Sequence, residues 1–577
     1  MNLPLNPRVA TTIATESVAE AYLALLKDRG IDHLYVGAGT DTAPVIEAYA
    51  RAERAGLDFP KPIVAVHENL AVGMAHGFYM VARRPQAVML HVSVGAANAV
   101  CGLINAARAQ VPMLFTAGRT PLYEQGRLGS RTHEVHWAQE MFYQGAMVRE
   151  LVKWDYELRD ALHVDQVVDR ALSVAMAEPR GPVYLTLPRE VLAQPMTECR
   201  LGGAPAATTA AQADSQGVMR LARALLAAER PAIVCVSSGA DPRTVPLLVE
   251  LADRFGIGVC EGRPRYLNFP SRHPLHLGHE LGRVLPQADA LLFLECDVPW
   301  IPSVVAPRDE AFVAHAGSDP LFTRYPMRSF RSDLTLPGNP VGLLKALIGA
   351  LHEAGGDAHA ARRRAWGEAV GVQARAAVSA RLAEDERAGG AITKRFFTRC
   401  LDAVRPPGAI VVNEYSALRE ALQLDEPGTF FQLPSSGGLG WGLPAALGAK
   451  QAAPERTVIA VQGDGAYLFA NPAACHQAMA MHGLPVLTLV YNNEGWEGVQ
   501  AAATGLYPGA HSARSVQERQ AAPLSSLKPV PDFELYARAS GGHGERVERR
   551  EDLLPALQRA LQRVADGQPA LLNVIGR

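Results

Sequence analysis

One segment near the C-terminus constrains this chain more than any other. In VIAVQGDGAYLFANPAACHQAMAMHGLPVLTLVYNNEGW an apolar run ends at Gly463-Asp464-Gly465, a helical stretch follows, and a second apolar run ends at Asn492-Asn493. Strand, helix and strand in that order predict two parallel strands whose ends share one carboxyl edge, where open α/β sheets bind ligands. Asp464 and Asn493 can meet there although a whole helix separates them in sequence. Each motif alone reads as an ordinary turn; on consecutive strands they make a candidate site. A carboxylate, an amide oxygen and a backbone carbonyl suit a small hard cation such as Mg²⁺, with phosphate oxygens and water completing an octahedron. Gly463 and Gly465 let the backbone approach phosphates and present N–H groups at a helix start.

The rest of the chain repeats the same grammar. At 577 residues it exceeds one ordinary core. Strands are expected at 31–36, 62–66, 87–92 and 112–117, with helices at 14–29, 68–81 and 97–109 between them, the pattern of a parallel sheet covered on both faces. This predicts an N-terminal domain at 1–195. Residues 201–216 are small and polar, as in a linker. A central α/β domain at 217–351 follows, then an alanine- and arginine-rich helical connector at 352–390 that looks mostly solvent-facing. A C-terminal domain at 391–577 carries the motif above. The fold class expected is α/β, with three doubly wound parallel-sheet domains. A net charge of −2 argues against nucleic acid as a partner. No run of about 18 apolar residues predicts a membrane helix, and the N-terminus lacks the apolar core of a secretory leader. Seven cysteines without a C-x-x-C pair fit a reducing, cytoplasmic location.

The spacing of GDG at 463–465 and NN at 492–493 resembles the signature of thiamine diphosphate enzymes. That resemblance implies that Asp464, Asn493 and the carbonyl of Gly495 hold the metal, and that the domains are pyrimidine-binding, central and diphosphate-binding in order. In HEN-AVGMAHGF, Glu68 matches the glutamate that activates the cofactor in pyruvate-decarboxylase and acetolactate-synthase relatives; read alone, it is a glutamate in the first turn of a helix. In SSGGLGWGLPAALGAK, the resemblance makes Leu439 the wedge that bends the cofactor and the carbonyl of Gly437 the acceptor for its 4′-amino group. It also implies a homodimer as the minimum active unit, with a tetramer common in the family.

Within the family the chain is most similar to the benzoylformate decarboxylase group, through Gly39-Thr40-Asp41, VMLHVSVGAANAVCGLINA and GGLGWGLPAA. His91 and Thr40 then face the substrate carboxylate and the developing alkoxide, beside Asp41. The group's second active-site histidine has no counterpart in LECDVPWIPS, where Pro302 falls near that position. RTHEVHWAQEMF brings His133, His136, Trp137 and Gln139 to the expected rim, and EGWEGV adds Trp496 and Glu497 beyond the metal loop. His273, His276 and His279 are spaced by three, but a proline and the lack of a clear helix speak against a metal cluster. The resemblance implies a 2-keto acid decarboxylase or carboligase, in which an enamine is protonated or ligated to an acceptor carbonyl. Acetolactate synthase-like ligation and cleavage of an acyloin or other 2-hydroxy ketone are the alternatives. FAD, carried in the central domain by some synthases, is not expected. An NAD- or FAD-linked oxidoreductase would need G-x-G-x-x-G, and Thr42 stands where the third glycine would be.

Overall fold

The computed structural model describes residues 11–203 and 208–576. The first ten residues of the N-terminal stretch, and 204–207 of the expected linker, lie outside the described residues. Three parallel sheets organise the chain. The first runs, edge to edge, Lys61–Val64, His33–Val36, Ala87–Leu90, Leu114–Arg119, Val183–Pro188, Asp155–Glu157. The last runs Phe430–Gln432, Ile410–Glu414, Val458–Gly463, Leu487–Asn492, Ala570–Ile575, His543–Val547. Numbered along the chain, both sheets have the order 2-1-3-4-6-5. The similarity between these two regions is therefore topological, although their sequences display no repeat. The central sheet has the order 2-1-3-4-5, from Gly258–Glu261 to Leu334–Pro337. Among the described residues, no helix is long and apolar enough to cross a membrane.

The helix after the second strand of the first sheet, Glu68–Ala82, packs on its counterpart in the last unit, Gly442–Ala452. Glycine allows the approach. A Cβ on Gly77 would lie 1.9 Å from the Ala445 carbonyl oxygen, and one on Gly448 would lie 1.9 Å from that of Met74. One apolar core runs through this seam, from Tyr35 and Leu90 on the first sheet to Leu443 and Val490 in the last unit. At about 1.5–3 kcal/mol for each large apolar side chain buried, that shared core fixes how the two sheets face each other.

Three local expectations are revised. Ala14 ends a short strand, Thr11–Ala14, and the helix begins at Val18, capped by Ser17. His91 is not inside a strand: the strand stops at Leu90, and the helical stretch expected after it is two helices, Val92–Asn98 and Val100–Arg108. Val92 takes a positive φ, the left-handed side of the map. That conformation costs a β-branched residue energy, and such residues cluster near functional sites. The connector helix, Ala360–Ala388, buries Gly367, Val370, Gly371 and Ala374. The same helix also buries Arg363 and Asp385, so its low apolar content concealed its packing.

Candidate active site

The carboxyl edge of the last sheet carries the first half of the site. Asp464 follows the third strand, Asn493 the fourth, and both turn toward the loop at Gly495. The Gly495 N–H donates to Asp464 Oδ2 at 3.1 Å and to Asn493 Oδ1 at 3.3 Å, so one amide gathers both side chains. Asp464 is buried, and burial without a neighbouring cation pushes its carboxyl up to about 6. A buried carboxylate, an amide oxygen and a loop carbonyl so arranged form a hard oxygen donor set, and these residues fit a magnesium ion. Trp496 lies over Gly465, where a Cβ would come within 2.2 Å of its ring, and stacks edge-on against Phe469. Glu497 pairs with Lys394 at 2.5 Å and touches the Asn493 amide at 3.4 Å. Both residues lie beside the Asp464–Asn493 cluster.

The glycine-rich turn lies after the second strand of the same sheet, as Glu68 does in the first. Gly437 and Gly440 both have positive φ, and a Cβ on Gly440 would strike the Phe469 carbonyl at 2.3 Å. Sequence reasoning missed what holds this turn. Glu414, fully buried, accepts from the Gly440 N–H at 2.8 Å, the Gly442 N–H at 2.7 Å and the Gln462 amide at 2.9 Å. Burial pushes its carboxyl up to about 7. Asn105 braces the turn from the first unit, donating to the Gly438 carbonyl at 2.8 Å. Leu439 is half-buried on the shared core. On the first sheet, Glu68 opens its helix and accepts from the Asn98 amide at 2.5 Å.

A further cluster lies at the carboxyl edge of the first sheet. Asp41, 2% exposed, sits behind His91 rather than beside it: its Oδ1 lies 2.5 Å from His91 Nδ1, and its Oδ2 accepts the Val92 N–H at 3.2 Å. Two glycines make room, since a Cβ on Gly39 would fall 2.0 Å from His91 Nδ1 and one on Gly118 would fall 1.7 Å from Asp41 Oδ2. Hydrogen bonding to Asp41 raises the His91 pKa above its ordinary value. The Gln139 amide reaches His91 Nε2 at 3.4 Å, while its own Oε1 is buried without a partner among the described residues. His136 Nδ1 accepts the Thr132 N–H at 3.0 Å, which assigns the proton of the neutral ring to Nε2, 3.4 Å from Thr40 Oγ1. His133 bonds Thr132 instead.

The Asp41–His91 pair has a pH signature. If His91 serves as an acid, activity falls as pH rises through its raised pKa. Asp41→Asn removes the cause of the rise, so that limb of the kcat profile should move to lower pH, with kcat at pH 8 falling by about tenfold to 10²-fold. An unmoved limb would show that Asp41 does not act through His91.

The crevice at the switch point of the central sheet, between Pro231–Cys235 and Ala290–Leu294, encloses about 100 Å³. Its wall mixes carboxylates, Glu178, Asp241, Glu295 and Asp297, with arginines, Arg83, Arg108, Arg180 and Arg265, and burial pushes Glu295 up to about 7. Of the three spaced histidines, His276 and His279 converge with Glu261, while His273 turns to Asp253 at 3.2 Å. The Arg419 guanidinium already holds Glu261 at 2.7 Å, which occupies the place of a cation.

Residues 16–147 match the family model described as the thiamine pyrophosphate enzyme N-terminal TPP binding domain, and residues 414–574 match the C-terminal TPP binding domain. The chain is 28% identical to benzoylformate decarboxylase of Pseudomonas aeruginosa, over 97% of this chain and 98% of that protein. It is 26% identical to sulfoacetaldehyde acetyltransferase of Rhodobacter capsulatus, over 96% of this chain and 93% of that protein. Among solved structures it resembles benzoylformate decarboxylase from Polynucleobacter necessarius, with TM-score 0.79 and 20% identity over 97% of this chain and 98% of that one. This structural likeness bears on the fold, which the two share along nearly the whole chain.

Proposed function

The chain belongs to the thiamine pyrophosphate enzyme family, and from that premise we propose that it decarboxylates a 2-keto acid and then protonates the remaining acyl fragment or joins it to a second carbonyl. The observation that carries this reading is the cluster of Thr40, Asp41, His91 and His136 at the carboxyl edge of the first sheet. Asp464, Asn493 and the Gly495 carbonyl would hold Mg²⁺, and through it the diphosphate. Bound there, the cofactor supplies the electron sink for breaking the bond to the carboxylate.

The protein's own residues do the rest. Glu68 would offer its carboxyl to the pyrimidine, and Leu439 and the Gly437 carbonyl would support the cofactor from the glycine-rich turn. His91, whose proton affinity the Asp41 hydrogen bond raises, offers a proton once the carboxylate has departed. His136 orients Thr40: its Nε2–H donates to Oγ1, which leaves the hydroxyl hydrogen free to point at the substrate oxygen. This histidine comes from the first unit, and it supplies a second proton carrier where the central segment LECDVPWIPS has none. Solvent-exposed apolar groups flank both halves of the site, Val64, Val66 and Val94 near Glu68 and Phe469, Val499 and Leu506 near the metal loop. Such surfaces support a homodimer in which the first unit of one copy meets the last unit of the other.

The test is a product screen with thiamine diphosphate and Mg²⁺, offering pyruvate, benzoylformate and phenylpyruvate, alone and with aldehyde acceptors. The expected result is CO₂ with an aldehyde or acyloin from at least one of them. His136→Ala should slow aldehyde release by about 10²-fold, while oxidation of the bound fragment by an added two-electron acceptor dye continues. Failure of every keto acid and acyloin to react would overturn the reading.

A further inference from the structure

The glycine-rich turn has little to order it from within. Gly437, Gly438, Gly440 and Gly442 leave only Leu439 and Trp441 with side chains in this stretch, and Gly437 and Gly440 take positive φ. Glycine loses more conformational freedom on ordering than any other residue, so the groups that fix this turn must lie outside it. We propose that Glu414 and Asn105 are positioning residues for the reaction: together they fix where the Gly437 carbonyl and the Leu439 side chain stand, and so set the rate of cofactor activation. The inference rests on the thiamine diphosphate reading above and gives neither residue a contact with substrate.

The two residues hold successive peptide planes. Asn105, 2% exposed on the helix Val100–Arg108, uses both ends of its amide. Its Oδ1 accepts from the Gly438 N–H at 3.1 Å and from the Ser436 hydroxyl at 2.7 Å. The Gly438 N–H and the Gly437 carbonyl belong to one planar trans peptide and point in opposite directions. Holding the N–H toward Asn105 therefore aims the Gly437 carbonyl away from it. The other end, Asn105 Nδ2–H, donates to the Gly438 carbonyl at 2.8 Å and fixes the peptide that enters Leu439. Glu414 fixes the peptide that leaves it, accepting from the Gly440 N–H at 2.8 Å through Oε1. With both flanking planes held, the direction of the Leu439 side chain is set by backbone geometry.

The second carboxylate oxygen of Glu414 ties the turn to the metal end. Oε2 accepts from the Gly442 N–H at 2.7 Å and from the Gln462 amide at 2.9 Å. Gln462 lies opposite Glu414 in the parallel register and two residues before Asp464. Close approach depends on glycine: a Cβ on Gly438 would lie 2.8 Å from the Asn105 amide, and one on Gly442 would lie 2.9 Å from Glu414 Oε2. Both side chains are buried, so solvent cannot take over their hydrogen bonds.

The experiment uses Glu414→Gln and Asn105→Ala in the full chain, saturated with thiamine diphosphate and Mg²⁺. Glutamine keeps the shape of Glu414 but turns one acceptor into a donor that faces N–H groups. Alanine removes three hydrogen bonds at a helical position that it suits well. Each variant should slow hydrogen exchange at C2 of the bound cofactor, and kcat with it, by about tenfold to 10²-fold, the order of loss from a misplacement of about 1 Å. Cofactor affinity should change only a few-fold, since the metal ligands are untouched. Exchange counts only loaded, folded chains, so a role in stability alone would lower the melting temperature and leave it unchanged. Exchange at the parental rate in both loaded variants would overturn the proposal. A parent chain that neither binds the cofactor nor exchanges its C2 proton would instead overturn the reading beneath it.

Discussion

Asp464→Ala should leave a folded chain that no longer retains thiamine diphosphate. Two unit charges about 4 Å apart interact by about 4 kcal/mol at an effective dielectric near 20, and this carboxylate would face a dication at shorter range. At about 1.4 kcal/mol per decade, cofactor affinity in the presence of Mg²⁺ should fall by about 10³-fold or more. The fold itself should not suffer. Asp464 is buried with backbone N–H donors but without a cation beside it, so in the cofactor-free chain its ionised form is disfavoured by burial. Thermal melting of the cofactor-free variant should match the parent or lie slightly above it, while the stabilisation that cofactor and Mg²⁺ confer on the parent should vanish. A variant that binds the cofactor normally would remove Asp464 from the metal site.

Glu68→Gln should do the opposite: keep the cofactor and lose the reaction. Glu68 is far in sequence from the metal loop, and among the described residues its carboxyl hydrogen-bonds the Asn98 amide. A glutamine has the same shape and can still meet Asn98, but it cannot carry an ionisable proton to the pyrimidine. Turnover should fall by about 10²- to 10⁴-fold, the range of a positioned acid or base, with cofactor affinity changed only a few-fold. Hydrogen exchange at C2 of the bound cofactor, followed by NMR after acid quench, isolates this step from the substrate. It should slow in parallel with turnover. Exchange at the parental rate would place activation elsewhere.

The α/β class was legible because strands buried on both faces are written as apolar runs, and because glycine, asparagine and aspartate mark their carboxyl ends. The kinship of the first and last units was not, since topology lives in which strands pair and not in which residues compose them. At the site, Asp464, Asn493 and Glu68 could be named from motifs that place them next to strand ends. Asp41 could be named but not assigned its partner. Its closeness to His91, far along the chain, depends on Gly39 and Gly118 being too small to obstruct the pair. No local pattern displays that condition. Glu414 had no signal: it closes an apolar strand and bonds the backbone of Gly440 and Gly442, well beyond it in sequence. Trp496 and Glu497 could be placed near the metal loop by sequence proximity, but their contacts with Gly465 and Lys394 had no local signal.

The most direct measurement is calorimetric titration of thiamine diphosphate into the purified full chain, once with Mg²⁺ and once with EDTA. Saturable binding of one cofactor per chain that requires the divalent ion, and that Asp464→Ala abolishes, is the expected result. Binding that is indifferent to EDTA, or no binding under either condition, would contradict a cofactor site formed by Asp464, Asn493 and Glu68.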